Sequence, residues 1–216
     1  MQWNFAGVMA AIVWFAGADL AGAQVLVKER VNLDWDTQAV GADFMGVQLG
    51  GHLPDECPAE RPTHLAHLYN MRSADGPCWM ATNGRPGSEM PPRDINELPL
   101  LVPSRKRPDG TRTVTALVIS GRVEGLRVTT DGFVHQERLL EQLVQKFGEP
   151  RSQEDREVTA GSGGRFDAVR ATWRTPNLHV LYSGMAGRID EGIISVFTDV
   201  GARQAEDRAA AQQTSF

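Results

Sequence analysis

Two histidines three residues apart, His64 and His67, have a spacing that could place both on one face of a helix and on one metal ion. A zinc site needs a third ligand, such as His52 or Glu60. The segment lacks the His-Glu-x-x-His pattern of zinc hydrolases. We therefore expect partly exposed histidines on a short helix, and we predict no metal and no cofactor.

A serine in the glycine-rich segment Ala-Gly-Ser-Gly-Gly, Ser162, forms a loose variant of the nucleophile elbow of hydrolases. That chemistry needs a strand before the serine and a helix after it, whereas here a polar stretch precedes it and a predicted strand follows. Asp167 and His179 come later in the order of a catalytic triad. We predict a flexible loop and no catalytic residue, and a secreted hydrolase that uses His64, His67 or Ser162 stays an alternative.

Three carboxylates, Glu154, Asp155 and Glu157, form an acidic cluster in a hydrophilic stretch. Paired carboxylates do acid–base chemistry when burial separates their pKa values. A polar surface stretch provides no such burial, so we interpret residues 151–165 as a solvated loop.

Four residues are candidates for an interface with a partner. Trp35 lies in a polar stretch, where an exposed aromatic side chain can anchor a protein contact. Arg105, Lys106 and Arg107 form a basic run within a proline-rich surface loop predicted at residues 83–112. The chain as a whole has a net charge of −5 and a pI near 5.6, which argues against nucleic acid as the partner.

The two cysteines, Cys57 and Cys78, become informative once the N-terminus is considered. Residues 5–17 are an apolar run of signal-peptide length, and Ala21-Gly22-Ala23 offers a cleavage site before Gln24. The run is too short to span a bilayer, so we expect no stable membrane insertion after cleavage. In an oxidising compartment the cysteines are expected to pair, and closing this loop of 22 residues would stabilise the fold by about 3 kcal/mol.

Regular structure is concentrated in the second half of the chain, because ten of the twelve prolines lie between Pro54 and Pro108. Two strands, residues 113–120 and 123–130, are predicted to form a hairpin around a tight Gly-Arg turn. An amphipathic helix follows, with a cap at Thr130 or Asp131 and an apolar stripe from Val134 to Phe147 that ends at Gly148. Three short strands complete this half at residues 168–174, 178–183 and 193–198.

These elements predict an α+β fold in which an antiparallel sheet of about five strands packs against one main helix. The expected organisation is a signal peptide at 1–23, a loop-rich part with a disulfide at 24–110, a helix-on-sheet module at 111–200 and a flexible tail at 201–216. Trp173 is expected in the core, and Trp79 is expected to pack on the disulfide.

Two short motifs carry a resemblance. Phe44, Gly46, Leu49 and Gly50 match an F-x-G-x-x-L-G pattern, and residues 146–150 match a helix end of the form K-[FY]-G-x-P. Both resemble small, uncharacterised periplasmic proteins of Gram-negative bacteria, and the helix end is also similar to the SmpA/OmlA-type outer-membrane assembly module. The latter resemblance implies a non-enzymatic scaffold or binding module, although this chain has no lipidation cysteine and places strands before its main helix.

The sequence thus predicts an exported, periplasmic or secreted, non-catalytic protein that acts through contacts with an unidentified envelope protein. An inhibitor or immunity-type protein that blocks an exported enzyme is the first alternative, and a secreted hydrolase is the second. The sequence favours no oligomeric state.

Overall fold

The computed structural model describes residues 30–31, 42–57, 76–79, 95–159 and 163–213. Within them lie eleven strands, two α-helices and two 3-10 turns, at Ser104–Lys106 and Gly132–His135. The strands are β1 (Arg30–Val31), β2 (Asp43–Phe44), β3 (Val47–Gln48), β4 (Cys78–Trp79), β5 (Ile95–Leu101), β6 (Thr111–Ile119), β7 (Arg122–Thr130), β8 (Ser152–Thr159), β9 (Arg165–Arg174), β10 (His179–Ser183) and β11 (Gly192–Phe197). The helices are α1 (Gln136–Phe147) and α2 (Asp199–Gln213).

One antiparallel sheet of nine strands organises the molecule, in the order β1-β8-β9-β10-β11-β7-β6-β5-β4. Two runs of consecutive strands, β4 to β7 and β8 to β11, meet where β7 pairs with β11. Helix α1 connects β7, in the middle of the sheet, to β8, which lies further along the sheet, beyond β11, β10 and β9. Strands β2 and β3 form a separate small hairpin.

The inner face of the sheet carries the hydrophobic core, because alternate residues of each strand point to the same side. Side chains on this face include Leu126, Val128, Trp173, Tyr182 and Ile194, each no more than 3% exposed. Burial raises the pKa of the Tyr182 hydroxyl, which donates a hydrogen bond to the carbonyl oxygen of Gln136 at 2.9 Å. The tyrosine thus ties the sheet to the first residue of α1.

Helix α1 and the β2–β3 hairpin together cover the inner face. Leu139, Leu143 and Phe147 of α1 are at most 4% exposed, and the Phe147 ring lies 6.4 Å from Trp173 and 5.7 Å from Phe44 of the hairpin. The Trp173 indole N–H donates to the Gly148 carbonyl at 2.8 Å. Core packing therefore extends from the helix into the N-terminal part of the chain.

Helix α2 lies on the opposite, outer face. Phe197 points to that face, and the backbone of α2 comes so close to β7 that a Cβ on Gly201 would lie 1.9 Å from the Glu124 carbonyl oxygen. Asp199 at the start of α2 contacts Arg174 on β9, and Arg208 near its end contacts Glu97 on β5. The helix thus crosses several strands along one row of outward side chains.

The central predictions for the second half are confirmed. Strands β6 and β7 form the expected hairpin, although the turn is Ser120-Gly121, with φ of 49° and 77°, rather than Gly-Arg. Positive φ at both turn residues matches the right-handed twist of the paired strands. The last three predicted strands are β9, β10 and β11, and they pair antiparallel in chain order.

The predicted amphipathic helix is α1, and Gly148 follows its last residue with φ of 79°. Two details of the prediction were wrong. Val134 is 77% exposed instead of lying in the apolar stripe, because residues 132–135 form a 3-10 turn that precedes the helix. No side chain caps α1, so neither Thr130 nor Asp131 has the predicted role.

The predicted count of about five strands and one main helix was too low. The loop predicted at 83–112 contains β5, whose Leu98 and Leu100 are at most 5% exposed. Pro99 lies within β5, opposite Thr115 of β6. The solvated loop predicted at 151–165 contains β8, so Glu154, Asp155 and Glu157 lie on a strand.

The flexible tail predicted at 201–216 was wrong for residues 201–213, which belong to α2. Its sequence has no apolar stripe because the helix docks through small residues, Gly201 and Ala202, rather than through large ones. In the part of the chain that the structure describes, no helix is both long and apolar enough to cross a membrane.

The predicted disulfide is present between Cys57 and Cys78, whose Cα atoms are 4.9 Å apart. Backbone hydrogen bonds surround it, since Trp79 N–H donates to the Asp55 carbonyl and Cys57 N–H donates to the Trp79 carbonyl. Trp79 is only 9% exposed. The bridge therefore holds residues 55–57 beside β4, at one edge of the sheet.

Candidate interaction surface

The hairpin of β8 and β9 extends beyond the rest of the sheet. Strand β10 pairs with β9 only as far as Ser183 opposite Arg170, whereas β8 continues along β9 to Thr159 opposite Arg165. Beyond the buried Val169, residues 156–159 and 165–168 form a two-stranded projection, which we call the hairpin arm. The arm extends past the end of β10, so its side chains have little core to cover. This explains why the sequence of β8 is so polar.

A single buried side chain, Gln136, fixes the base of the arm. Its amide nitrogen donates to the Asp167 carbonyl at 2.5 Å, and its amide oxygen accepts from the Val169 N–H at 3.3 Å. Gln136 is 3% exposed. The primary amide thus satisfies the backbone groups of β9 where β10 has ended, as another strand would, and it links the arm to the start of α1.

Exposed apolar side chains occur on the arm and in the 3-10 turn at Gly132–His135, which contacts the arm through Phe133. Phe133 is 40% exposed, Val134 is 77% exposed and Val158 is 37% exposed. The Phe133 ring meets the Phe166 ring edge-on at 5.0 Å, and Phe166 lies directly opposite Val158 across the two strands. We call these four residues the apolar corner.

Exposed large hydrophobic side chains are concentrated at the apolar corner. Among the residues that the structure describes, only four large hydrophobic side chains are exposed, and three of them belong to the apolar corner. The fourth, Val200, lies on α2. Exposed apolar side chains that adjoin one another mark contact sites more often than scattered ones do.

Charged side chains lie on both faces of the arm. On the inner side, Glu157 lies opposite Asp167 and is contacted by Arg165 at 3.4 Å. On the outer side, Arg156 contacts Glu154 at 2.7 Å. Val158 and Phe166 point to the same outer side as this ion pair, because alternate residues of a strand share a face.

The outer edge of β8 is a second feature of this region. Strand β1 pairs with β8 only at Gln153 and Ser152. Within the described ranges, no strand lies beside residues 154–159 on the side away from β9. Such an edge presents backbone donors and acceptors to an added strand.

A histidine cluster lies at the other end of the outer face. His179 Nε2 lies 2.7 Å from Asp199 Oδ1, Arg174 Nη2 lies 3.0 Å from the same oxygen, and Arg174 also donates to His179 Nδ1. Both ring nitrogens are therefore occupied. Burial, and then the charge of Arg174, lower the pKa of His179. This geometry attaches α2 to the sheet and leaves the imidazole no free nitrogen for use as a general base.

The structure brings few of the sequence-predicted site residues together. Trp35, His64, His67 and Ser162 lie outside the described residues. Asp167 and His179 are on the arm and on β10, far from a common triad geometry, since Arg174 and Asp199 occupy the His179 ring. In the described ranges no group of three metal-ligating side chains occurs.

The basic run lies where β5 turns into β6. Arg105 and Lys106 are exposed in the 3-10 turn, and Arg107 follows it partly buried. Lys106 runs along Gly46 in the β2–β3 turn. The run is distant in the sheet order from the arm, because β5 and β8 lie near opposite edges. Sequence reasoning missed Phe133 and Phe166, and the one available signal was the Phe-Val pair just before the helix.

Comparison of the chain with protein families, with curated proteins and with solved structures found no match.

Proposed function

We propose that this protein is an exported, non-catalytic binding protein, and that it acts through contacts between the apolar corner and another protein of the cell envelope. The observation that carries the proposal is the concentration of exposed apolar side chains at a projecting, structurally fixed arm and the 3-10 turn that contacts it. Rigid presentation favours binding, because little conformational entropy is lost when the partner docks.

Two further observations support this proposal. The Cys57–Cys78 disulfide suits an oxidising compartment, as expected of a periplasmic or secreted protein. The resemblance of the K-F-G-x-P helix end to the SmpA/OmlA-type module agrees with a non-enzymatic role. The engaged His179 ring offers no support for a hydrolase.

The test is capture of a partner from envelope extract with the full-length exported protein, followed by mass spectrometry. Val134→Asp is the informative variant, since this side chain is 77% exposed and its replacement should leave stability nearly unchanged. We expect it to weaken partner binding at least tenfold, the loss typical of a central interface residue.

Val200→Asp is the matched control, because Val200 is also exposed but lies on α2. A partner that binds both variants as tightly as the parent protein would contradict the proposal. Capture of one enzyme in a one-to-one complex that abolishes its activity would identify an inhibitor instead.

A further inference from the structure

The chain that leads to the disulfide first pairs with the start of β7. The Gly50 N–H donates to the Val123 carbonyl at 2.7 Å, and the Val123 N–H donates to the Gly51 carbonyl at 2.9 Å. The Arg122 guanidinium also donates to the Gly50 carbonyl. From there the chain runs directly to Cys57, which the disulfide holds beside β4. One end of this short segment is therefore paired with β7, and the other end is fixed by the disulfide.

The same end of β7 holds the start of α2 through Glu124. A β-bulge leaves Glu124 without a partner on β6, between the paired residues Val123 and Gly125. The Glu124 side chain is buried, and its carboxylate accepts a hydrogen bond from the Thr198 hydroxyl. The Glu124 carbonyl accepts from the Thr198 N–H at 3.0 Å. Both polar groups of Glu124 thus contact the residue that precedes α2.

Thr198 caps the N-terminus of α2. Its carbonyl accepts from the Ala202 N–H at 2.9 Å, and its hydroxyl oxygen accepts from the Gly201 N–H at 3.2 Å, which is the bonding pattern of a helix N-cap. Because the hydroxyl donates its own proton to Glu124, the carboxylate holds the cap in place. A Cβ on Gly50 would lie 3.9 Å from the Thr198 methyl group, so the segment that leads to the disulfide lies beside this cap.

Arg122 completes a polar connection between that segment and the helix cap. Its guanidinium donates to the Gly50 carbonyl, and its Nε lies 3.9 Å from the Glu124 carboxylate. We call the four residues Gly50, Arg122, Glu124 and Thr198 the cap network. A buried carboxylate depends on its hydrogen bonds and on nearby positive charge. Displacement of Gly50 and Arg122 therefore alters the surroundings of the group that holds the cap.

We propose that the Cys57–Cys78 disulfide controls the attachment of α2 through the cap network, as a redox-sensitive switch. Both cysteines are only partly buried, so an external dithiol, the group that thiol–disulfide oxidoreductases carry, can reach the bridge. One thiolate of the dithiol attacks a cysteine sulfur, breaks the S–S bond and forms a mixed disulfide, from which the second thiolate displaces the protein sulfur. Cys57 and Cys78 gain two electrons and two protons and become thiols, while the dithiol becomes a disulfide.

Reduction removes the covalent link between Cys57 and β4. It leaves the backbone hydrogen bonds that Trp79 makes with Asp55 and Cys57, at 3.1 and 3.0 Å. Greater freedom at residues 55–57 loosens the pairing of Gly50 with β7, because the two lie on one short segment. Helix α2 is sensitive to this change, since small buried residues and exposed ion pairs attach it to the sheet. The switch concerns contacts within one chain and does not depend on the proposed function.

Hydrogen exchange of the full-length protein, first oxidised and then reduced with dithiothreitol, tests the switch. We expect reduction to accelerate exchange at the amides of residues 202–208 by about fivefold or more, the effect of losing one helix cap. The amides of α1, which large buried side chains anchor, should exchange as they do in the oxidised protein. Unchanged exchange in α2 would overturn the proposal. Equal acceleration in α1 would also overturn it, because the disulfide would then stabilise the whole domain.

Thr198→Val separates the cap from the rest of the network, because it removes the hydroxyl and keeps the shape of the side chain. Helix α2 should then exchange fast in the oxidised protein, and reduction should add less than about twofold. Glu124→Leu, which removes the carboxylate, repeats this test from the other side of the same hydrogen bond. A full response to reduction in either variant would refute the proposal.

Glu97→Gln is the matched control. Glu97 also contacts α2, through Arg208, but lies outside the cap network. This variant should respond to reduction as fully as the parent protein does. Loss of the response in Glu97→Gln would show that any weakening of α2 abolishes it, and the cap network would have no special role.

Discussion

Helices α1 and α2 lie on opposite faces of one sheet and are held there by different kinds of contact. Helix α1 buries Leu139, Leu143 and Phe147 against the inner face. Helix α2 fully buries only the small residues Gly201 and Ala202, and it forms ion pairs at Asp199 and Arg208.

The difference shows that two routes lead to a docked helix. Burial of large apolar side chains is strong and shows in the sequence as a stripe of period 3.6. Close backbone approach through glycine, aided by exposed ion pairs, is weaker and leaves no stripe. We expect α1 to unfold only with the whole domain and α2 to detach first.

Leu143→Ala should cause the largest loss in this comparison. Leu143 is 1% exposed, and truncating such a side chain in a close-packed core costs about 2–5 kcal/mol. Urea unfolding followed by circular dichroism measures the change, with the half-buried Leu140→Ala as control, for which a smaller loss is expected. A loss below about 1 kcal/mol for Leu143→Ala would mean that packing does not anchor α1.

Gly201→Ala should detach α2 selectively. The added Cβ would lie 1.9 Å from the Glu124 carbonyl oxygen, so either β7 or the helix must move. We expect a loss of about 1–3 kcal/mol, with fast hydrogen exchange confined to α2. Asp207→Ala, on the exposed side of the same helix, is the control. If the variant protected α2 as well as the parent protein does, docking through Gly201 would be disproved.

Acidification should lower the stability of the folded protein through His179. Its pKa in the folded protein is lowered, chiefly by burial and next by Arg174, against the opposing charges of Asp199 and Glu206. Between the ordinary histidine pKa near 6.5 and the lower folded value, the unfolded state binds more protons, so stability falls as the pH falls through this window. Unfolding free energy measured from pH 8 to pH 5 should therefore have a shallower pH dependence in His179→Gln.

His52→Gln provides the comparison for that titration, because His52 is exposed at the far end of β7. Its pH profile should parallel that of the parent protein. Identical profiles for the parent protein and His179→Gln would show that His179 does not cause this pH dependence.

Arg208→Ala should have the smallest effect. Arg208 and Glu97 form an ion pair whose side chains are 40% and 54% exposed, and such pairs contribute about 0.2–1 kcal/mol. The loss should shrink further at high salt, because exposed charges are screened. Thermal unfolding at low and high ionic strength checks this, and a loss above about 2 kcal/mol would show that α2 depends on its ion pairs more than on Gly201.

Sequence patterns predicted the elements that bury large side chains and missed those that do not. The β6–β7 hairpin, α1 and the last three strands were found because their apolar residues recur at a fixed period. Strand β8 was mistaken for a loop because its arm has little core to face, and α2 was mistaken for a tail because small residues dock it.

The sequence predicted that the protein has an interaction surface, but it did not predict which residues form the candidate surface. It predicted a protein that acts through contacts with a partner, and it offered Trp35 and the basic run at 105–107 as the contact residues. The apolar corner was not foreseen, because Phe133, Val158 and Phe166 come from three segments. Their contact depends on how far β9 extends beyond β10 and on where Gln136 holds it.

By itself, the sequence determined the mixed helix-and-sheet class, the hairpin, the main helix and the pairing of Cys57 with Cys78. Those features depend on local periodicity, on turn residues and on there being only two cysteines. Tertiary structure alone decided the strand order, the side of the sheet that α2 occupies and the meeting of Phe133 with Phe166. These features depend on contacts between residues far apart in the chain. Packing shape and the need to pair backbone hydrogen-bonding groups decide which segments meet, and no local sequence pattern predicts that outcome.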